Sequence, residues 1–247
     1  MTLRPWPKAI LFDLDDTLWP IAPVIIQAEL TLHAWLQAHA PQVAARFSIA
    51  SLREARLALL ARQPEFHLDL GALRRAGLHA AFAEAGEDGA KVDAAMSEFF
   101  AARNAVLPYD DVLPALLRLK GCALLGTITN GNADLHAIGL AHHFSVSVAA
   151  HQFGSAKPEA AIFHEACRRL DLAPADCLYV GDDLLLDVQA AQRAGLRAVW
   201  LKRGDGGAQP GPGVAPDATC ADFDALLEWL RREHAPADYA QGCAERA

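Results

Sequence analysis

Residues 9 to 12 form a short, unbroken apolar run that ends on acids, in the stretch "AILFDLDDTLWP". A run this short and uniformly apolar is the pattern of a strand buried on both faces. From about Pro20 to Asn104 the texture changes. "VIIQAELTLHAWLQAHA", "IASLREARLALLARQ", "DLGALRRAGLHAAFAEAG" and "AKVDAAMSEFFAARN" carry apolar residues at helical spacing, and Pro41, Pro64 and the Gly86–Gly89 stretch separate them. This predicts an all-helical block of roughly four helices.

After Pro108 helices and short strands alternate. "DVLPALLRLKG" reads as a helix stopped by Gly121, "CALLGTITN" as a strand, "NADLHAIGLAHH" as a helix and "FSVSVAA" as a strand. "KPEAAIFHEACRRLDL" reads as a helix with Pro158 in its first turn. "CLYVGDD" is a strand, "LLDVQAAQRAGL" a helix, "RAVWL" a strand and "FDALLEWLRREH" a closing helix. The Gly/Pro-rich stretch 203–218 reads as a loop. Alternation of this kind predicts an α/β fold: a Rossmann-like parallel sheet with helices on both faces, interrupted by the helical block. The expected division is 1–19 and 105–235 for the α/β core, 20–104 for the inserted helices, and 236–247 for a frayed C-terminal tail.

Composition narrows the classes. A chain of 247 residues with 53% hydrophobic content has enough apolar material for a large core plus an inserted domain. The net charge of −8 argues against nucleic acid or an anionic membrane as the main partner, since phosphate backbones select basic faces. Five cysteines in an odd, widely spaced set without a CxxC pair disfavour a disulfide framework or a zinc site. No signal-peptide core and no membrane span is legible, and together these features lead to an expectation of a cytoplasmic location.

The acids then need an explanation. In a parallel α/β sheet ligands bind at the carboxyl ends of the strands. Asp13 and Asp15 follow the first strand, Thr129 and Asn130 the second, and Asp182, Asp183 and Asp187 follow "CLYV"; Lys157 opens a later segment. Each alone has an ordinary reading: an Asp-x-Asp turn, a Thr N-cap, a surface lysine, a tight Gly-Asp turn. Their shared edge is what counts. Like charges about 4 Å apart repel by ~4 kcal/mol at an effective dielectric of ~20, so the cluster calls for a cation, and hard oxygen ligands suit Mg²⁺. A carboxylate can attack phosphorus, a hydroxyl and a lysine can hold phosphoryl oxygens, and a second carboxylate can carry a proton to and from the leaving group. An EF-hand reading of "DLDDTLWP" fails for want of the glycine and the distal Glu.

"FDLDDTL", "ITNGN", "AKPEAAIF" and "VGDDLLLDVQAAQRAG" resemble, in order, the four motifs of the haloacid dehalogenase-like hydrolase superfamily, and the helical insert resembles its subfamily I with a C1-type cap. The resemblance spans about residues 8–203. It implies Asp13 as nucleophile, Asp15 as general acid/base, and Thr129, Asn130 and Lys157 as substrate-binding groups that hold the phosphate. It implies Mg²⁺ held by the Asp13 side chain, the Asp15 carbonyl and Asp182, and Asp187 as the acid that orients Lys157 or a metal-bound water. Asp183 stands where many relatives carry a small polar residue. The implied activity is that of a Mg²⁺-dependent phosphatase acting on a small phosphorylated metabolite through phospho-Asp13. Alternatives within the superfamily are a phosphomutase or a dehalogenase, although Asp15 supplies a leaving-group proton that dehalogenases do not need. A receiver-like phospho-acceptor module fits poorly, because receivers are shorter and lack the insert.

Where the chain leaves the core, Trp19 and Pro20 read either as hinge or flap residues or as a packed aromatic and a helix-start proline. Arg74 and Arg75 offer either a substrate anion contact or a solvated helix face, the latter being the commoner case. His142 and His143 have no acidic partners in sequence and read as a helix-end pair. Asp16 is expected to point away from the acids, into the turn toward the helices.

Overall fold

The computed structural model of the protein describes residues 4–204 and 214–234. Six strands, β1 (Ala9–Phe12), β2 (Leu124–Thr129), β3 (Val146–Ala149), β4 (Cys177–Gly181), β5 (Arg197–Leu201) and β6 (Ala218–Cys220), form one sheet in the order β3-β2-β1-β4-β5-β6. Every pairing is parallel. The apolar run of β1 is central: Ile10, Leu11 and Phe12 are wholly buried, each worth about 1.5–3 kcal/mol of burial.

The chain winds outward from β1 on one side through β2 and β3, then returns to the other side at β4. The order therefore reverses between β1 and β4, and a crevice opens at the carboxyl ends of those two strands. Asp13 follows one of them and Asp182 the other.

The chain divides into two compact units. Among the described residues, the α/β unit comprises 4–20, 107–130, 139–204 and 214–234. The other comprises Ile21–Val106 and Gly131–Ile138. It is helical: α1 (Ile21–His39), α2 (Pro41–Arg46), α3 (Ile49–Arg62), α4 (Leu70–Ala85) and α5 (Val92–Arg103), with short 3₁₀ turns between. Leu32, Leu36, Phe82, Met96 and Phe99 belong to its core. Asp69 caps α4 by accepting from the Gly71 and Ala72 amides, and Gly86 ends it in a left-handed conformation. Buried within this unit, Glu29 takes hydrogen bonds from Arg74 (2.8 Å) and Arg56 (2.5 Å), and the Arg74 guanidinium lies 3.6 Å from the centre of the Phe99 ring. Burial, then Arg56, lowers Arg74 to about 10. Arg74 is thus an internal group, whereas Arg75 is exposed and pairs with Asp93.

In the α/β unit, α6 (Val112–Leu119), α7 (Ala160–Arg169) and α8 (Phe223–Glu233) lay apolar stripes on the sheet. Val112, Ala115, Leu116 and Leu119 of α6 recur at helical spacing, as do Phe223, Leu226, Leu227 and Leu230 of α8. Phe223 stacks on Phe12 of β1 at 5.6 Å.

Four expectations differ from the structure. The helix expected over "NADLHAIGLAHH" is one α-turn, Leu135–Ile138, then a 3₁₀ turn at Ala141–His143; Gly139 at φ 86 breaks it, and the His142 and His143 rings lie 4.0 Å apart in that short turn. Pro158 lies before its helix, in a turn after a cis Lys157–Pro158 bond, and the helix begins at Ala160. The helix expected from Leu185 is a π-helix, Leu184–Gln189, running into an α-turn at Ala190–Arg193. Stretch 203–218 ends on a sixth strand beginning at Ala218, too short for its pattern to register; residues 205–213 and the tail 236–247 lie outside the described residues.

Candidate active site

Asp13 leaves β1 with its amide bonded to the Val180 carbonyl of β4 (3.0 Å), which fastens it at the crevice. Its Oδ1 accepts a hydrogen bond from Lys157 Nζ at 2.6 Å, and the same ammonium donates to Asp187 Oδ1 at 2.6 Å. Asp187 is 1% exposed and Lys157 6%, so this ionic array is internal. Asp187 stands where it does because Gly181 has no side chain: a Cβ there would lie 2.4 Å from the Asp187 carboxyl carbon. The π-turn that carries Asp187 is capped by Asp183, whose Oδ1 accepts from the Leu185 and Leu186 amides, while the Asp183 amide donates to Asp187 Oδ2 at 2.9 Å. Asp183 is therefore a helix cap in this structure.

Asp182 holds its place through other groups. Its Oδ1 accepts from Thr17 Oγ1 (3.1 Å), and its carbonyl accepts from Trp200 Nε1 (2.8 Å). Thr17 belongs to the turn after β1, in which Asp16 adopts φ 60 and its amide donates to the Trp19 carbonyl (2.7 Å). Arg203 Nε donates to the Thr17 carbonyl, and its guanidinium stacks on Tyr109 at 3.8 Å. In this turn Asp15 Oδ1 accepts from Trp19 Nε1 at 2.8 Å. Trp19 is wholly buried, so its indole fixes the acid from below as well as filling the core.

Thr129, buried, ends β2. Asn130 beside it spends its side chain on the backbone of Lys157, donating to that carbonyl (2.9 Å) and accepting from that amide (2.8 Å). Its side chain thereby fixes the lysine loop. The sequence reading missed Tyr179, whose hydroxyl lies 3.1 Å from Lys157 Nζ, 3.2 Å from Asp187 Oδ1 and 3.2 Å from the Ile128 carbonyl. In a buried strand it reads as core, although period-two alternation puts it on the same face as Gly181, against which Asp187 packs.

The electrostatics show a shortage of positive charge. Burial, opposed by Lys157 and reinforced by Asp187 and Asp182, raises Asp13 well above the usual carboxylate range. Asp182 is raised to about 6, first by burial and then by Asp187. Burial disfavours the Lys157 charge, yet Asp13 and Asp187 outweigh it and hold the ammonium well above its ordinary range. Two carboxylate oxygens at 2.6 Å hold Lys157 as the ammonium, and the surplus proton affinity lies with Asp13 and Asp182. Burial, then Asp187, pushes the Tyr179 phenol well up, and it stays a neutral hydroxyl.

Carboxylate oxygens of Asp13, Asp182 and Asp187 all lie within 4.8 Å of one another. Both Asp187 oxygens are already engaged, by Lys157 and by the Asp183 amide. That leaves Asp13 and Asp182 as the pair suited to a hard divalent cation such as Mg²⁺, whose charge would offset the surplus.

A family model described as haloacid dehalogenase-like hydrolase matches residues 7–195. A 5-amino-6-(5-phospho-D-ribitylamino)uracil phosphatase of Escherichia coli (strain K12) is 32% identical, over 81% of this chain and 85% of its own. A glyceraldehyde 3-phosphate phosphatase of Methanopyrus kandleri is 34% identical, over 80% and 84%. Among solved structures, one described as a 2-haloacid dehalogenase from Pseudomonas syringae pv. Tomato superposes with a TM-score of 0.85 at 37% identity, covering 92% of this chain and 99% of that one. Among the described residues no helix is long and apolar enough to cross a membrane.

Proposed function

The chain belongs to the haloacid dehalogenase-like hydrolase family, and we propose that within it this protein is a Mg²⁺-dependent phosphatase of a small phosphorylated metabolite, working through a phosphoaspartate on Asp13. The observation that carries this reading is the pairing of two acids with different surroundings at the end of β1. Asp13 is bound to an ammonium at 2.6 Å, and Asp15, two residues on, is bound to an indole N–H at 2.8 Å. Lys157 and a bound cation would hold Asp13 as the ionised nucleophile, and Asp15 stands where a proton can pass to the leaving group.

An Asp13 carboxylate oxygen forms a bond to phosphorus as the ester P–O bond breaks. The leaving oxygen takes a proton from Asp15. A water then adds to phosphorus and gives its proton to Asp15, the acyl-phosphate bond breaks, and Asp13 is restored. Lys157 and Thr129 hold phosphoryl oxygens throughout. Asp13, Asp182 and the Asp15 carbonyl would hold Mg²⁺, which when bound neutralises negative charge on substrate and acids. The helical unit serves as a cap that selects the leaving group. The support is connectivity: the chain enters it directly after Pro20 and again directly after Asn130. With no membrane-crossing helix among the described residues and metabolite phosphatases as relatives, the proposed setting is the cytoplasm.

A second reading is dehalogenation, favoured by the 37% identity to the structure described as a 2-haloacid dehalogenase. Asp15 weighs against it, since halide leaves without a proton. The test is phosphate release from a panel of small phosphate esters, and halide release from 2-chloropropionate, with and without Mg²⁺, for wild type and Asp13→Asn. Phosphate release that needs both Mg²⁺ and Asp13 supports the phosphatase. Halide release alone selects the second reading. Equal phosphatase activity in wild type and variant refutes the nucleophile.

A further inference from the structure

Lys157 Nζ has three protons, and the structure gives each an acceptor: Asp13 Oδ1 at 2.6 Å, Asp187 Oδ1 at 2.6 Å and Tyr179 Oη at 3.1 Å. An ammonium buried to this degree needs all three, because an unmatched N–H costs free energy inside a protein. The first two acceptors come from groups already placed in the machinery. The third comes from the middle of β4, whose neighbours in sequence are apolar.

Tyr179 has one proton of its own and two acceptors within 3.2 Å, the Ile128 carbonyl and Asp187 Oδ1. It accepts from Lys157 and donates to one of these at a time. Ile128 directly precedes Thr129 in β2, so the hydroxyl links the lysine to the strand end that carries the phosphate-binding hydroxyl. β1 lies between β2 and β4, and Tyr179 therefore spans the strand that bears Asp13. Its ring is fixed edge-on against Phe163 of α7, with centroids 5.1 Å apart at 75°, and is wholly buried. The hydroxyl cannot swing away without moving that ring.

We infer that Tyr179 is a positioning residue for Lys157: its hydroxyl holds the ammonium's third proton, keeps Nζ centred between Asp13 and Asp187, and releases that proton to a phosphoryl oxygen when substrate binds. This rests on the phosphatase reading above. It requires that the Tyr179 contact be exchangeable while the two carboxylate contacts persist, and the distances agree: 3.1 Å to a neutral oxygen against 2.6 Å to each charged one.

The test is Tyr179→Phe, which keeps the ring and removes only the oxygen. With the ester that wild type turns over best, kcat is expected to fall about 10-fold, the size of one misplaced hydrogen bond in a transition state, with KM within twofold. Phe163→Leu is the packing control: it removes the ring contact and leaves the hydroxyl, and is expected to lower Tm with kcat within twofold. An unchanged kcat in Tyr179→Phe overturns the inference and leaves the phosphatase reading standing. So does a kcat loss in Phe163→Leu equal to that in Tyr179→Phe, which would assign the effect to packing. Wild type that releases phosphate from no ester overturns the phosphatase reading, and this inference with it. A crystal structure of Tyr179→Phe gives a check independent of turnover. Nζ is expected to shift from between the two carboxylates or to gain a water at the vacated position, and an unmoved lysine without that water overturns the inference.

Discussion

Asn130 and Lys157 hold each other through two reciprocal hydrogen bonds, side-chain amide to backbone in both directions, at 2.8 and 2.9 Å. The lysine is thereby fixed at its root by β2, the strand that also carries Thr129, and at its tip by Asp13, Tyr179 and Asp187. Asn130→Ala removes both root bonds, worth ~2 kcal/mol together. The expected outcome is a Tm lower by about 4–8 °C and a kcat reduced by at least ~10-fold, read by thermal denaturation and steady-state assay. Asn130→Asp keeps the acceptor for the Lys157 amide and should recover part of both.

Gly181 has no room for a methyl group. Its Cβ would meet Asp187 at 2.4 Å. Gly181→Ala is therefore expected to cost about 1–3 kcal/mol by overpacking and to displace Asp187 from Lys157. Urea denaturation reads the first and turnover the second. A variant with wild-type activity would show that the Asp187–Lys157 contact is dispensable.

Asp182 is expected to make the response to Mg²⁺ depend on pH. Its carboxyl sits at about 6 in the fold against an ordinary 3.8. A raised folded-state value means that this group favours the metal-free fold below about pH 4 and that the contribution is lost as pH rises through about 6. A cation bound to ionised Asp182 reverses that loss and competes with the proton below it. Adding about 10 mM Mg²⁺ should raise Tm by several degrees at about pH 7.5 and very little at about pH 5. An equal response at both values would remove Asp182 from the metal site.

Asp15 is expected to matter in proportion to how badly the leaving group needs a proton. Asp15→Asn should slow hydrolysis of an alkyl phosphate by about 10²–10⁴-fold. The loss should be far smaller for p-nitrophenyl phosphate, whose leaving group departs as a stable anion. Equal losses on the two esters would place Asp15 outside proton transfer.

In the helical unit, Glu29 balances two arginines, the buried Arg74 and the half-buried Arg56. Glu29→Gln leaves both guanidiniums without a counter-charge, and the expected destabilisation is about 3–5 kcal/mol in urea.

Much of this was legible in the sequence because the chemistry sits where strands end. Uniform apolar runs locate β1, β2 and β4, and the polar residues that follow them are displayed in order. What stayed hidden depends on contacts across the fold. Tyr179 is apolar by neighbourhood, and nothing local reveals that its hydroxyl reaches Lys157. Asn130 looked like a substrate ligand because it follows Thr129, and only the fold shows its amide meeting a backbone 27 residues away. Asp183 gave no sign of capping because the turn it caps is a π-helix, whose period the sequence pattern does not distinguish from an α-helix. Arg74 read as a solvated helix face because Glu29, its partner 45 residues earlier, had no visible reason to be internal.

The position of β1 has a consequence for synthesis. The central strand leaves the ribosome well before its neighbours β2 and β4, which begin at Leu124 and Cys177. At about 5–20 residues per second, Ile10, Leu11 and Phe12 wait on the order of 10 s for any partner strand, and the helices of the insert emerge in that interval. A nascent chain arrested before Leu124 holds a helical unit and an unpaired apolar ribbon. Such an intermediate is a natural client for a chaperone that binds extended hydrophobic segments.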